Sequence, residues 1–329
     1  MKMFKNGEWG HHYESTNLDG EFERQSTMFR DWIEDDPEAE YPAEAGRYHL
    51  YISWACPWAH RTALIRSLRG LEDVISMDVV DPYRDEGGWQ FTPEKAGCTA
   101  DSINDFDYLR ETYLEADPNV TGRVTVPVLW DKETGTIVNN ESEEILRMLD
   151  TAFADFGNTE VTLYPEGYRE EIDDIIDAIY EPINNGVYRA GFADSQDAYE
   201  NAVTELFDNL DYWEDVLEDQ RYLAGDRLTE ADICMFTTLV RFDPVYVNHF
   251  RCNLRRIADY PNLWNYLKDL YQTPGVAETF DFAHIKEHYF TTHESLNPKG
   301  IIPKGPVLDF EEPHDRDRLA GRPPEALVQ

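Results

Sequence analysis

An apolar run, Tyr48-His49-Leu50-Tyr51-Ile52-Ser53, ends at Trp54-Ala55-Cys56-Pro57. Beyond the proline the apolar spacing changes from that of a strand to that of a helix, through Thr62, Leu64, Ile65 and Leu68. This predicts a strand over 48–53 and a helix over 57–69, with Pro57 in the first turn, where its missing N–H costs nothing. Residues 74–80 alternate as a second strand. A loop-rich insertion over 81–123 carries Gly87-Gly88-Trp89 and one helix near 105–116. The apolar stretch 124–130 reads as a strand interrupted by Pro127; a turn over 131–135 and a short strand over 136–138 complete a hairpin. A helix follows through Ile145, Leu146 and Leu149.

After a linker over 156–166 the pattern is wholly helical, with amphipathic segments over 168–187, 196–219, 229–243, 259–272 and 274–289. Thr229 is placed to cap the third of these, with Asp232 reaching back as in a capping box. Residues 1–45 are polar with scattered aromatics and read as an extension wrapped over a domain. From 295 the chain is rich in Pro, Gly and charge and reads as an extended tail. The order strand, helix, strand, insertion, strand, strand, helix is that of a thioredoxin-like domain. The expected fold is therefore an α/β thioredoxin-like N-terminal domain over 46–155 and an all-α domain over 160–294, flanked by the extension 1–45 and the tail 295–329.

A length of 329 residues accommodates two such domains. No run approaches the ~20 apolar residues that span a bilayer, and the first residues lack the apolar stretch of a signal peptide; a soluble, cytoplasmic protein is expected. Net charge is −37, from 66 acidic and 29 basic residues. Spread along the whole chain, it repels nucleic acid and anionic membranes, and it predicts adaptation to high salt, hence a halophilic, archaeal source. The four cysteines, at 56, 98, 234 and 252, have neither zinc spacing nor the density of a disulfide framework. His284 and His288 can share a helix face but lack a third ligand, so they read as ordinary surface or cleft residues. His11 and His12 read as solvated, and no metal is expected.

Cys56 carries the candidate chemistry. At a helix N-terminus the macrodipole and free N–H groups favour thiolate over thiol, and no carboxylate lies within the run 48–61. A dithiol site would place a second cysteine where Ala59 stands, so a mixed disulfide on Cys56 needs a thiol from outside to resolve it. A buried structural cysteine is the alternative for an isolated Cys; the strand–Cys–Pro–helix setting favours the reactive one.

A thioredoxin-like half, a helical half and a Thr-x-x-Asp cap within the latter together resemble the cytosolic glutathione transferases. Ser53-Trp54-Ala55-Cys56-Pro57-Trp58-Ala59-His60-Arg61 resembles specifically the glutathionyl-hydroquinone reductases, or Xi-class transferases. So do Gly87-Gly88-Trp89-Gln90-Phe91, the run Asn184-Asn185-Gly186-Val187-Tyr188-Arg189-Ala190-Gly191-Phe192-Ala193, and Arg241-Phe242-Asp243-Pro244-Val245-Tyr246. The resemblance covers roughly residues 40 to 310. It implies a cofactor-free reduction in which Cys56 removes glutathione, or γ-glutamylcysteine, from the thioether of a hydroquinone and a second small thiol resolves the mixed disulfide. It also implies a homodimer.

The resemblance further implies roles for particular residues. Val126-Pro127 becomes the turn beside the Cys, with a cis peptide that offers the Val126 backbone to the thiol peptide. Glu141 and Ser142 open a helix and hold the γ-glutamyl end, Ser142 also serving as a cap. Arg123 suits the other carboxylate, and Trp89 projects from its loop as a lid. Tyr188 binds the quinol oxygen and assists proton delivery; Tyr246 and Tyr289 bind the aromatic substrate. For any of the three tyrosines plain packing is the alternative, as a surface charge is for Arg123 and a core aromatic for Trp89. Two other functions remain open: a glutaredoxin-like thioltransferase using the same Cys, and a non-catalytic transferase-fold interaction module.

Overall fold

A computed structural model of the chain describes residues 2–12 and 15–327. The chain forms two compact units whose segments alternate along the sequence. The first holds 2–12, Arg24–Thr159 and Thr279–Ile302; the second holds Ser15–Glu23, Glu160–Glu278 and 303–327. The division differs from the segments expected above: 279–302 joins the first unit, and the expected extension and tail are each divided between the two units. Among the described residues no helix is long and apolar enough to cross a membrane.

In the first unit, β1 (Lys2–Lys5) and β2 (Glu8–His11) pair as an antiparallel hairpin. There follow β3 (Tyr48–Ile52), α1 (Pro57–Leu68), β4 (Ser76–Val79), α2 (Leu109–Ala116), β5 (Val128–Asp131), β6 (Thr136–Asn139) and α3 (Ser142–Thr151). The four-stranded sheet runs β4-β3-β5-β6, with β3 parallel to β4 and antiparallel to β5, and β5 antiparallel to β6. Every residue of β3 and β5 is buried, which is why both read as near-continuous apolar runs. The strand expected over 124–130 is shorter than its apolar stretch. Pairing begins at Val128, and Pro127 sits outside it, where a missing N–H breaks no ladder bond.

Buried ion pairs pin this sheet. Arg47, preceding β3, grips Asp131 at the end of β5 through Nε–Oδ1 at 2.9 Å and Nη2–Oδ2 at 2.7 Å. Burial pushes the Asp131 carboxyl up, but hydrogen bonds from Arg47, Thr134 and the Glu133 N–H hold it below the ordinary carboxylate value. The same balance, burial outweighed by donors, lowers Asp78 (His49, Ser102), Asp81 (Lys95, Thr92) and Glu144 (Arg30, Asn139).

The helix Phe282–Thr292 is stitched to the 81–98 loop of the same unit. His284 Nε2 donates to the Ala96 carbonyl at 2.7 Å and His288 Nδ1 to the Pro82 carbonyl at 2.6 Å. Both histidines share the helix face as expected, yet they are buried, at 3% and 7% exposure. Their role as carbonyl donors, rather than as surface or cleft residues, corrects the expectation.

The second unit contains α4 (Arg169–Ile179), α5 (Gly186–Gly191), α6 (Gln196–Asp219), α7 (Glu230–Arg241), α8 (Val247–His249) and α9 (Pro261–Gln272). Thr229 and Asp232 form the expected capping box: the Thr229 N–H donates to Asp232 Oδ2 at 2.8 Å. Asp232 also accepts from Leu223 N–H and Tyr266 O–H. The segment read as continuous helix over 168–187 is broken by a π-helical turn, Tyr180–Asn184, and the one read over 229–243 runs into another, Phe242–Tyr246. Each extra residue swings the chain that follows it, and such turns concentrate at functional sites.

The segment read as an extended tail is anchored. Arg316 is fully buried and donates from Nη1 to the Leu217 carbonyl at 2.7 Å and from Nη2 to the Gln220 and Arg221 carbonyls, so it caps the end of α6. Phe310 packs on Trp264 and Tyr271 of α9.

Two outcomes are expected. The four depressed carboxylates contribute stability that is complete above their unfolded values, near 4. It is lost as pH falls through their folded values. Acid unfolding followed by circular dichroism should therefore steepen below about pH 4, and Asp131→Asn should weaken that dependence. Arg316→Ala strands three helix-end carbonyls and should cost on the order of 3 kcal/mol in denaturant unfolding.

Candidate functional site

Cys56 stands where β3 gives way to α1. Its backbone is extended (φ −79°, ψ 122°) and caps the helix, Pro57 occupies the first helical position, and no acidic residue lies in the first turn. Its Sγ is 3.5 Å from the Val126 carbonyl oxygen, and the Val126–Pro127 peptide is cis. The residues after Cys56 turn inward: His60 is hydrogen-bonded to Thr279 (2.9 Å), and Arg61 lies over the Trp58 ring, 4.5 Å from its centroid. Arg24 covers the same ring at 4.7 Å. Burial raises the thiol pKa of Cys98 and Cys252, and Cys234 is buried. Cys56 alone among the four has a helix N-terminus behind it.

The Val126 turn and the start of α3 are held by one phenol. Tyr113, fully buried in α2, donates from its hydroxyl to the Thr125 carbonyl at 2.9 Å. It accepts from the Thr125 N–H at 3.2 Å and from Asn140 Nδ2 at 3.1 Å. Asn140 in turn accepts from the Phe29 N–H at 3.1 Å. Glu141, not Ser142, is the cap residue of α3, with Ser142 the first helical residue; this corrects the capping role expected for Ser142 by one position. The Glu141 carboxylate accepts from Thr27 Oγ1 at 3.1 Å and its N–H donates to Asn139 Oδ1 at 2.7 Å.

Trp89 does not project. It is 4% exposed, stacked on His288 at 4.9 Å and covered by Arg84 at 5.1 Å. With Arg123 it lines a cavity of about 380 Å³. Tyr289, on the helix of His288, is 1% exposed.

In the second unit the π-turns precede or contain the remaining two tyrosines. Asn184 donates to the Cys234 carbonyl at 3.0 Å and to Thr238 Oγ1 at 2.9 Å, tying the first turn to α7. Tyr188 follows, half-buried, with its ring centroid 6.0 Å from that of Tyr246 and 5.3 Å from that of Phe250. Phe22 and Phe192 stack in the same aromatic cluster. Tyr246 is fully buried.

The first unit thus brings Cys56 and Val126–Pro127 together, and links the Val126 turn to Glu141 and Ser142 through Tyr113. Sequence reasoning missed Tyr113, Asn140 and Thr27. Nothing in the sequence pairs Asn140 with Tyr113. Among the described residues no group of three His, Cys, Asp or Glu side chains is placed to hold a metal. Tyr113→Phe leaves Thr125 and Asn140 short of a partner. It should cost about 1–3 kcal/mol in thermal unfolding and loosen the turn facing Cys56, read as a changed rate of Cys56 alkylation.

The glutathione S-transferase N-terminal domain model matches residues 55–152, and the C-terminal domain model residues 196–269. The chain is 50% identical to glutathionyl-hydroquinone reductase YqjG of Escherichia coli, over 93% of this chain and 95% of that protein. It is also 50% identical to glutathionyl-hydroquinone reductase PcpF of Sphingobium chlorophenolicum, over 90% and 93%. Among solved structures, the Xi-class transferase of Natrialba magadii superposes with a TM-score of 0.93 at 64% identity, covering 98% of both chains. The glutathione-bound E. coli YqjG gives 0.88 at 48%, covering 96% and 99%. With its Cys56–Pro57 turn, its thioredoxin-like sheet and its helical half, the chain belongs to the glutathionyl-hydroquinone reductases, the Xi class of the glutathione transferases.

Proposed function

We propose that this chain is a thiol-dependent reductase that removes glutathione or γ-glutamylcysteine from thioether conjugates of hydroquinones. The observation that carries the reading is the Cys56 turn: the sulfur of the residue that opens α1 lies 3.5 Å from the Val126 carbonyl, with Ala59 where a resolving cysteine would stand.

In the first step the Cys56 thiolate attacks the sulfur of the conjugate. A sulfur–sulfur bond forms, the bond from sulfur to the aromatic carbon breaks, and that carbon takes a proton to give the free hydroquinone. In the second step a thiolate from solution attacks the Cys56 mixed disulfide, releases the small disulfide and restores Cys56. Net, one free thiol and the sulfur of the thioether each give up one electron to become the disulfide, and one carbon takes both, so electrons balance without a further cofactor.

Val126 offers backbone hydrogen bonds to the thiol peptide. Glu141 and the head of α3 take its γ-glutamyl ammonium and carboxylate, and Arg123 and Trp89 take its other end. Tyr188, Tyr246 and Tyr289 are proposed for the quinol, Tyr188 also assisting proton delivery. The reading includes a cytoplasmic location, a homodimer, as the family resemblance implies, and a salt-adapted surface, as the net charge of −37 implies.

Cys56→Ser should lower reduction of a glutathionyl–menadiol conjugate by at least about a thousandfold. Mass spectrometry of the native protein should show one thiol adduct, on Cys56. Full activity in Cys56→Ser would sink the reading. Activity on hydroxyethyl disulfide with none on the conjugate would replace it with a thioltransferase.

A further inference from the structure

The hairpin β1–β2 reaches two distant segments of its own unit, and both carry residues proposed above for the thiol peptide. Phe4 exchanges both main-chain hydrogen bonds with Gly122, at 2.9 and 3.0 Å. The Gly7 N–H donates to the Val120 carbonyl at 2.9 Å and the Asn6 N–H to Thr121 Oγ1 at 2.8 Å. The hairpin is thus an added edge strand along 120–122, directly before Arg123. Lys2 Nζ and Trp9 Nε1 both donate to the Glu86 carbonyl, each at 3.0 Å, and Lys2 also pairs with the Glu86 carboxylate.

Glu86 opens the turn Glu86-Gly87-Gly88-Trp89. Gly88 has φ +97°, and a Cβ there would stand 3.3 Å from Trp9 Cζ2, so the indole forms the floor of that turn. Phe4, 1% exposed, braces Trp9 edge-on at 5.1 Å. The cavity of about 380 Å³ is accordingly lined by Lys2, Trp9 and His11 of the hairpin together with Trp89, Arg123 and Thr292.

We propose that this hairpin is a positioning element for the thiol-peptide site, with Trp9 and Lys2 fixing the Trp89 turn and the added strand fixing Arg123. The proposal rests on the thiol site described under the proposed function. Without the hairpin the Glu86 carbonyl loses two donors and 120–122 loses its strand partner. A bound thiol then has to order both segments itself, which weakens binding. Cys56 is set by β3 and α1, which the hairpin's hydrogen bonds do not involve, so its reactivity toward a small neutral probe stays the same.

The test is calorimetric binding of glutathione and of γ-glutamylcysteine to the full chain carrying Cys56→Ser. Trp9→Ala, Trp9→Phe and Lys2→Ala are added singly, and Cys56 alkylation by iodoacetamide is measured in the matching chains that retain the cysteine. Trp9→Ala should raise the thiol Kd at least about tenfold. Trp9→Phe, which keeps a ring and loses the N–H, and Lys2→Ala should fall between, with alkylation rates within about twofold of the parent.

Unchanged Kd in all three variants, whatever their melting temperatures, would reduce the hairpin to a stabilising ornament. So would a Kd loss that is matched by an equal fall in alkylation, since that reports general loosening. A parent protein that binds neither thiol would overturn the thiol-site reading and the hairpin's role with it. A parent that binds alongside variants that bind equally overturns only the latter.

Discussion

The antiparallel register of β3 against β5 is the constraint from which the site follows. Tyr51 lies opposite Val128, so the chain leaving β3 toward Cys56 runs beside the chain entering β5 through Val126 and Pro127. Only that pairing brings a sulfur from one crossover to a carbonyl from another. A slip of one residue would turn every side chain of β5 to the opposite face and carry the Val126 carbonyl away. The Arg47–Asp131 pair stands at the far end of the same two strands and locks the same register.

Around this register, side chains answer main-chain groups that no ladder pairs. Tyr113 answers both main-chain groups of Thr125, and the histidines of the Phe282–Thr292 helix answer two carbonyls of the long loop after β4. The loop over 81–108 has little regular structure, so side chains supply the hydrogen bonds that a ladder would have supplied. This explains how so irregular a segment holds Trp89 buried between a histidine and an arginine.

What the sequence disclosed and what it hid divide along physical lines. The Cys56 junction, α1, the β5–β6 hairpin and the Thr229 capping box were legible, because each is encoded within a dozen residues; the cis bond before Pro127 was expected from the resemblance. The N-terminal hairpin was not: its strands are short and polar, and its partner, Gly122, is more than a hundred residues away. Arg316 looked like one charge among many in a polar tail, since its acceptors lie on α6. The π-turns were invisible because one extra residue barely disturbs an apolar period, and the burial of Trp89 depends on a helix near the other end of the chain. The roles of Trp89, Arg123, Glu141 and the three tyrosines came from resemblance, not from pattern.

The alternation of segments between the two units has a consequence for biosynthesis. As the chain leaves the ribosome, the sheet is complete by about residue 151, yet the helix that buries Trp89 emerges only after the whole helical half has been made. The helical half in turn waits for Arg316 before the end of α6 is closed. Neither unit is complete until its last segment, 279–302 or 303–327, has been made, and no single cut in the gene separates one unit from the other.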